Sequence, residues 1–413
     1  MNTRAAINDS PPPPALSVAY NSDLSHFSVA LENGFRIYDT QDCRPVKVRD
    51  LGQGLGCVEM VGKTNYLALV GGGKSPKFAQ NKIIFWNESK QEPTLTFEFN
   101  TPVQRVRLNQ KYLVAVLLNS IHVYKLSARP EKLKEFETAN NPFGLCCLNQ
   151  DIVVFPGRTP GQVQILELAT RNINIIPAHS NALRALSLSP DGTIIATASE
   201  QGTLIRLWMA DNGAKFGEYR RGVESATIFS IALSPSNAFM AVTSDTGTLH
   251  IFDLPYATRP SSSGGRPASV NSDFSGALES GNGAAEPSHA SKWGFFSKIP
   301  MVPRIFSDVY STASAKFEIG DEPELSATYA RRGTNSTAVG NTSSAMGGGL
   351  NWNTPIQGVA GGRPPKGVIG WINESELLII GAGQDARWER FRVGIAEDGR
   401  RAVWKDGWKR IME

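Results

Sequence analysis

Two adjacent arginines, Arg220 and Arg221, occupy the link between two similar apolar segments of the chain. Because consecutive side chains of an extended stretch point to opposite sides, the two guanidinium groups can serve two separate pockets. A guanidinium binds phosphate or carboxylate through two parallel hydrogen bonds. The pair therefore predicts two neighbouring anion sites, with a solvated basic turn as the alternative.

Each neighbouring segment adds a turn in which hydroxyl-bearing residues surround a glycine. Hydroxyls and backbone N–H groups around such a turn form an anion-binding concavity. The first turn contains Thr197, Ser199, Gly202, Thr203 and Arg206, and the second contains Ser244, Thr246, Thr248 and His250. The alternative is that these hydroxyls bond within their own strands and that His250 is a packing histidine.

An aromatic and basic segment lies between two stretches rich in Ser, Gly and Pro. Its apolar residues are Trp293, Phe295, Phe296, Ile299, Val302, Ile305 and Phe306. The steps from Phe295 to Val309 follow helical spacing, and Pro300 and Pro303 divide the segment into two short helical turns. Such a segment predicts insertion into a membrane interface, with packing onto the protein's own surface as the alternative.

Seven similar segments, each with several short apolar strands and polar turns, must position these residues. The residues that end the first six segments are Tyr38, Trp86, Tyr124, Leu166, Trp208 and Phe252, and they are 38 to 48 residues apart. The seventh segment runs from Val368 to Phe391. A period of this length is typical of propellers, so the sequence predicts an all-β, seven-bladed β-propeller.

The predicted domain organisation is a disordered N-terminus at residues 1–14 and a single propeller at residues 15–413. Two insertions interrupt the propeller. Residues 256–315 form a membrane-facing loop of the sixth blade, and residues 326–365 form a low-complexity insertion before the seventh. The sequence leaves open which terminus closes the ring.

The composition argues against several classes of protein function. A net charge of +4, from 42 basic and 38 acidic residues, argues against a dedicated nucleic-acid-binding protein. The four cysteines lack metal-ligand spacing, and we find no secretory or membrane-spanning segment, so we predict reduced thiols in a cytoplasmic protein without metal or cofactor. No arrangement of acids, bases or nucleophiles suggests catalysis, so we predict no catalytic residue and a binding protein.

These segments together resemble the PROPPINs, seven-bladed WD-repeat proteins that bind phosphoinositides in autophagy. The resemblance is carried by NKIIFWN (81–87), VQRVRLNQKYLVAVLLNSIHVY (103–124), ASEQGTLIRLW (198–208), YRRG (219–222) and SDTGTLHIF (244–252). Tyr219 stands where the family usually has Phe or Leu, and both arginines are retained. The second blade resembles the SVP-like branch of the family.

The resemblance implies two lipid sites, for phosphatidylinositol 3-phosphate and phosphatidylinositol 3,5-bisphosphate. The first would use His179, Thr197, Ser199, Gly202, Thr203, Arg206 and Arg220, and the second Arg221, Ser244, Thr246, Thr248 and His250. It further implies a monomer on preautophagosomal, endosomal and vacuolar membranes, with autophagy lipid-transfer or scaffold proteins as partners near Arg107. The alternative is a generic WD-repeat scaffold that binds only proteins.

Overall fold

In a computed structural model, the described residues are 13–255, 309–320 and 354–412, and their strands form seven sheets. Each sheet is one blade with four antiparallel strands, and the fifth blade gains one further strand. The first strands of successive blades contact each other and surround the central axis. The prediction of an all-β, seven-bladed propeller is confirmed.

The first four blades are each built from strands that are consecutive in the chain. Blade one contains β1 (Ala15–Tyr20), β2 (His26–Leu31), β3 (Gly34–Asp39) and β4 (Pro45–Asp50). Blade two contains β5 (Leu55–Met60), β6 (Tyr66–Gly71), β7 (Lys82–Asn87) and β8 (Glu92–Glu98). Blade three contains β9 (Val103–Leu108), β10 (Tyr112–Leu117), β11 (Ser120–Lys125) and β12 (Glu131–Glu137). Blade four contains β13 (Cys147–Leu148), β14 (Ile152–Pro156), β15 (Gln162–Glu167) and β16 (Ile173–Pro177).

The last three blades include the strands that follow the long insertions. Blade five contains β17 (Leu183–Leu188), β18 (Ile194–Ser199), β19 (Leu204–Met209), β20 (Lys215–Arg220) and β24 (Val309–Tyr310). Blade six contains β21 (Ile228–Leu233), β22 (Phe239–Ser244), β23 (Thr248–Asp253) and β25 (Ala313–Lys316). Blade seven contains β26 (Val368–Trp371), β27 (Glu376–Gly381), β28 (Arg387–Ile395) and β29 (Arg401–Arg410), after a 3₁₀ helix at Ala360–Gly362.

Burial within a blade follows the position of the strand. All six residues of β18 are buried, as expected for a strand covered on both faces by neighbouring blades, and its sequence is accordingly a run of small and β-branched residues. The outermost strand β12 is mostly exposed and rich in Lys and Glu. The charged outer strands also protect the blade edges from pairing with other chains.

Apolar cores lie between adjacent blades. Between blades five and six, Ile205, Leu207 and Tyr219 pack with Met240 and Phe252, all of them nearly or fully buried. Burial of apolar surface contributes roughly 25 cal/mol per Å², so these interfaces are the main source of rigidity in the ring. The junction between blades five and six is therefore a firm support for the arginine pair.

The ring closes by packing between the first and last blades, each of which comes from one terminus alone. The Tyr38 hydroxyl donates to the Ile411 carbonyl, and the Trp388 indole donates to the Thr40 carbonyl at 3.0 Å. Near the axis, Ala15 and Gly383 exchange two backbone hydrogen bonds. Neither terminus contributes a strand to the other's blade within the described residues.

The structure corrects the predicted boundaries of both insertions. Residues 309–310 and 313–315, which the prediction placed in the membrane-facing loop 256–315, belong to strands β24 and β25, so the helical spacing does not extend to Val309. Residues 354–365, assigned to the low-complexity insertion 326–365, lie within the described structure, where Ile356 and Val359 pack on Leu16. Apolar contacts with the blades thus order both segments.

The described residues contain no helix long and apolar enough to span a membrane. Within the same residues, no cluster of three or more His, Cys, Asp or Glu could hold a metal ion. All four cysteines are unpaired.

Tyr38→Phe should weaken ring closure. The ring, stacked on Phe27 at 5.2 Å, would remain, but the Ile411 carbonyl would lose its donor. We expect the free energy of unfolding to fall by about 1 to 3 kcal/mol, measured by urea denaturation. The control is Tyr66→Phe, in which a half-exposed ring stacks on Phe85 at 5.4 Å. Equal stability of the two variants would contradict this role of Tyr38.

Candidate functional site

Tyr219 and Arg220 end the outer strand of blade five, and Arg221 begins the link to blade six. Tyr219 is buried between the blades, with its ring centroid 5.7 Å from that of Phe252. Because side chains alternate along a strand, Arg221 follows Tyr219 toward blade six, whereas Arg220 points to the other side. The alternation therefore favours divergence of the two guanidinium groups, which stays a prediction.

Arg221 is held by backbone carbonyl groups at the junction. Its side chain is 8% exposed; Nε donates to the Gly202 carbonyl at 2.7 Å, and Nη2 donates to the Glu224 carbonyl. Burial lowers the pKa of Arg221, and the carboxylates of Asp245 and Glu224 oppose that change. These bonds use two of the five guanidinium N–H groups, so the group is oriented and still has donors to offer.

Arg220 is the last residue of β20. Its backbone lies opposite Leu204 of β19 on one side and beside Tyr310 of β24 on the other. Its side chain is partly exposed. Arg220 therefore lies at the rim of blade five, next to the point where the chain returns from the blade-six insertion.

The Thr197 hydroxyl is fully engaged within blade five. It accepts a hydrogen bond from Trp208 Nε1 at 3.0 Å, donates to the Arg206 carbonyl at 3.2 Å, and lies 2.9 Å from His179 Nε2. A hydroxyl has one proton and two acceptor positions, so these contacts use its whole capacity. Thr197 therefore bonds within its own blade, which was the alternative to a role in anion binding, and it orients His179.

Arg206 is also engaged, through a carboxylate. Its Nε donates to Glu218 Oε2 at 2.8 Å, and Nη1 donates to the Ala178 carbonyl at 2.7 Å. Lys215 Nζ reaches the same carboxylate oxygen at 2.7 Å. Burial tends to raise the pKa of Glu218, but Lys215 and Arg206 outweigh it and lower that pKa to about 2. The blade-five cluster therefore contains a permanent negative charge.

The Gly202 turn forms a tight backbone cradle beside Arg221. Gly202 has φ of +62°, and a Cβ there would lie 1.7 Å from the Ala226 carbonyl oxygen, so only glycine fits. Its N–H donates to the Ser199 carbonyl at 3.0 Å, and the Arg221 N–H donates to the Thr203 carbonyl at 2.9 Å. Ser199, Gly202 and Thr203 are thus brought next to the arginine pair.

The equivalent turn of blade six carries the second group of hydroxyls. Ser244 is fully buried, and its Oγ lies 2.9 Å from Thr246 Oγ1. Thr248 Oγ1 donates to the Thr246 carbonyl at 3.4 Å. Thr246 and Thr248 lie nearer the surface than Ser244, so they are the accessible hydroxyls of this turn.

Lys316 contacts this turn from the neighbouring strand β25, although no sequence pattern predicted its role. Its Nζ donates to Thr248 Oγ1 at 2.8 Å and to the Thr246 carbonyl at 3.1 Å. Residues 254–312 separate β23 from β25 in the sequence. The alternation of small residues in 313–316 is only a weak strand signal, and such a long separation hides the pairing.

Both histidines of the two turns are neutral at pH 7. Burial lowers the pKa of His179 to about 4, with Arg206 as a second cause. Burial lowers the pKa of His250 to about 4 as well, and Arg221 and Lys316 add repulsion. A neutral imidazole keeps one donor and one acceptor, so each ring can share a hydrogen bond without carrying charge.

The other predicted residues lie elsewhere. The aromatic segment with Trp293, Phe295, Phe296, Ile299, Val302, Ile305 and Phe306 is outside the described residues. Arg107 lies on β9 of blade three, where Nη1 donates to Glu59 Oε1 at 3.0 Å and Nε donates to the Cys146 carbonyl at 3.1 Å. Arg107 is therefore separate from both turns.

Acidification should destabilise the fold through the two histidines. Their folded-state pKa of about 4 lies below the ordinary value of 6.5, so the unfolded chain binds more protons between these limits. The contribution of these two histidines to the free energy of unfolding is fully present above pH 6.5 and is lost as the pH falls toward 4. The variant His179→Gln/His250→Gln should lose less stability between about pH 7 and 5, measured by urea denaturation. An equal loss in both proteins would refute this origin of the acid sensitivity.

Comparison with known proteins identifies the family. The PROPPIN family model matches residues 18–285. The SVP1-like protein 2 of Emericella nidulans is 48% identical over 353 residues, which cover 86% of this chain and 99% of the relative. The SVP1-like protein 2 of Neurospora crassa is 40% identical over 447 aligned positions and covers 99% of both chains.

Solved structures agree in fold. Kluyveromyces lactis Hsv2 superposes with a TM-score of 0.67 at 19% identity, covering 97% of this chain and 99% of that one. KlAtg21, solved in complex with the coiled coil of AgAtg16, has a TM-score of 0.61 at 16% identity and covers 96% and 99%. The family model matches most of the chain, and the chain carries two turns at the rim with the arginine pair between them. This chain therefore belongs to the PROPPIN family.

Proposed function

We propose that this chain is a peripheral membrane protein that recognises phosphatidylinositol 3-phosphate and phosphatidylinositol 3,5-bisphosphate through two sites on its rim. The single observation that carries the proposal is the position of Arg220 and Arg221 between two turns that bear hydroxyl groups, with Arg221 bonded to the Gly202 carbonyl of the first turn. Such turns bind phosphate oxygens, and arginine adds bidentate hydrogen bonds. Family membership supports a phosphoinositide as the ligand.

In the first site, Arg220 and the turn residues Ser199, Gly202 and Thr203 contact the phosphate. His179 is held through Nε2 by Thr197, and its Nδ1 accepts a hydrogen bond from a head-group hydroxyl. The charge of Arg206 is largely balanced by Glu218, so Arg206 orients the turn through the Ala178 carbonyl and adds little net attraction. In the second site, Arg221 acts with Ser244, Thr246, Thr248 and His250.

Two weak sites on one rigid rim explain useful membrane affinity. Each Lys or Arg near an anionic surface contributes only about 1 kcal/mol, so one pocket alone is a weak anchor. Two pockets that bind the same membrane raise the effective concentration, and avidity can exceed either site by roughly 10²- to 10⁴-fold. We expect the aromatic segment from Trp293 to Phe306 to add insertion into the interface.

The chain acts without catalysis, as a cytoplasmic monomer that docks on preautophagosomal, endosomal and vacuolar membranes and recruits autophagy machinery. The structure of KlAtg21 with the coiled coil of AgAtg16 supports a coiled-coil or scaffold protein as the class of partner. The partly exposed Arg107 at the junction of blades two to four is the contact we propose for such a partner.

Arg220→Thr/Arg221→Thr should abolish specific membrane binding, because both sites lose their cation. Co-sedimentation with vesicles containing phosphatidylinositol 3-phosphate measures the loss, and vesicles with the 4-phosphate isomer match the surface charge. The control is Arg331→Thr/Arg332→Thr, which removes the same charge from the second Arg-Arg-Gly of the chain. Undiminished binding by the Arg220/Arg221 variant would contradict the site assignment and favour a scaffold that binds only proteins.

Truncation of Trp293, Phe295 and Phe296 to Ala should weaken retention on vesicles and leave affinity for the soluble head group unchanged. The reason is that insertion adds apolar burial at roughly 25 cal/mol per Å² and involves no phosphate contact. Vesicle flotation and titration calorimetry with the head group separate the two effects. A parallel loss in both measurements would show that the segment acts on the sites and not on the bilayer.

A further inference from the structure

We propose that Lys316 is a phosphate-binding residue of the second site and supplies the cation that blade six otherwise lacks. This inference rests on the proposed function and adds Lys316 to the residues of the second site. Lys316 ends β25, the outer strand of blade six, directly after the long insertion.

The strand register places Lys316 on the face of the second site. Lys316 is paired with Thr248, and Ser314 is paired with His250, so these side chains share one face of the sheet. The intervening Leu249 packs in the core between blades six and seven, on the opposite face. The face with Lys316 is therefore the one turned toward blade five and Arg221.

The charge of Lys316 is not balanced by a carboxylate. Its hydrogen bonds go to two neutral oxygens, Thr248 Oγ1 and the Thr246 carbonyl, and it forms no ion pair with the part of the chain that the structure describes. An ammonium group has three donors, so one remains for a ligand. The two threonine contacts fix the direction of this otherwise flexible side chain.

The first site is different in this respect. There Arg206 and Lys215 share the carboxylate of Glu218, at 2.8 and 2.7 Å. In the second site, the carboxylates of Asp245 and Glu224 act on Arg221. Lys316, in contrast, contacts only neutral oxygens among the described residues, so its ammonium group can pair with a phosphate without first breaking an ion pair.

His250 lies beside Arg221 and Lys316. Its Nδ1 lies 3.1 Å from Ser311 Oγ, and its Nε2 makes no hydrogen bond to the described residues. Arg221 and Lys316 both disfavour its protonation. A phosphate that lies among Arg221, Lys316 and the His250 ring would meet two cations and a neutral N–H donor. The chemistry fits a phosphate monoester, which a lipid head group or a soluble inositol phosphate could provide.

The test uses the full chain with its first site disabled by Arg220→Thr, so that head-group binding reports on the second site. In this background, Lys316→Met should weaken binding of inositol 1,3-bisphosphate by about tenfold or more, typical of a charge-assisted hydrogen bond. Lys316→Arg should restore most of the affinity. The control is Lys134→Met, at an exposed position of the outer strand of blade three, which should leave the affinity unchanged.

Vesicles that contain phosphatidylinositol 3-phosphate form the second arm and distinguish the two phosphate sources. A matching loss for vesicles and for the soluble head group supports direct contact with the lipid phosphate. A loss confined to vesicles, and equal for Lys316→Met and Lys134→Met, would overturn the inference in favour of general surface attraction. Unchanged binding by Lys316→Met would also overturn it and leave the proposed function standing. Absence of head-group binding by the unmodified chain would instead refute the proposed function.

Discussion

The hydrogen bond from Arg221 Nε to the Gly202 carbonyl fixes the junction on which the rest of the site depends. It joins the link between two blades to the tight turn of blade five. That turn has no room for a Cβ at Gly202, and hydrogen bonds from the Gly202 N–H to the Ser199 carbonyl and from the Ala226 N–H to the Gln201 carbonyl hold it in place. Because Tyr219 is buried two residues earlier, the backbone direction at Arg220 is fixed as well. The buried charge of Arg221 thus has a structural role that does not depend on the proposed ligand.

The two turns look alike in sequence and differ in their electrostatics. In blade five, the carboxylate of Glu218 stays ionised at physiological pH and balances the charge of Arg206. Under the proposed function, a phosphate there would depend on Arg220 and on neutral donors. In blade six, Lys316 has only neutral oxygen partners among the described residues. The two proposed sites would therefore bind through different sets of charges and hydrogen bonds.

The blade period alone was sufficient to predict the fold, because each blade repeats the same burial pattern around its strands. The same sequence information could not show that the hydroxyl of Thr197 is consumed by Trp208 and His179, since that depends on side-chain packing across strands. Lys316 was missed because its strand joins blade six only after residues 254–312. Ring closure by Tyr38 and Ile411 is likewise a contact between distant ends of the chain, which no local pattern reveals.

The long insertion of blade six is joined to strands that carry the predicted site residues. The chain leaves blade six after β23, which carries Thr248 and His250, and returns through β24 and β25. On its return it pairs beside Arg220, places Ser311 on His250, and ends at Lys316. Both ends of the insertion are therefore attached to strands that carry site residues. Under the proposed function, a bilayer that contacts the insertion would therefore act on the same strands that present Arg220, His250 and Lys316.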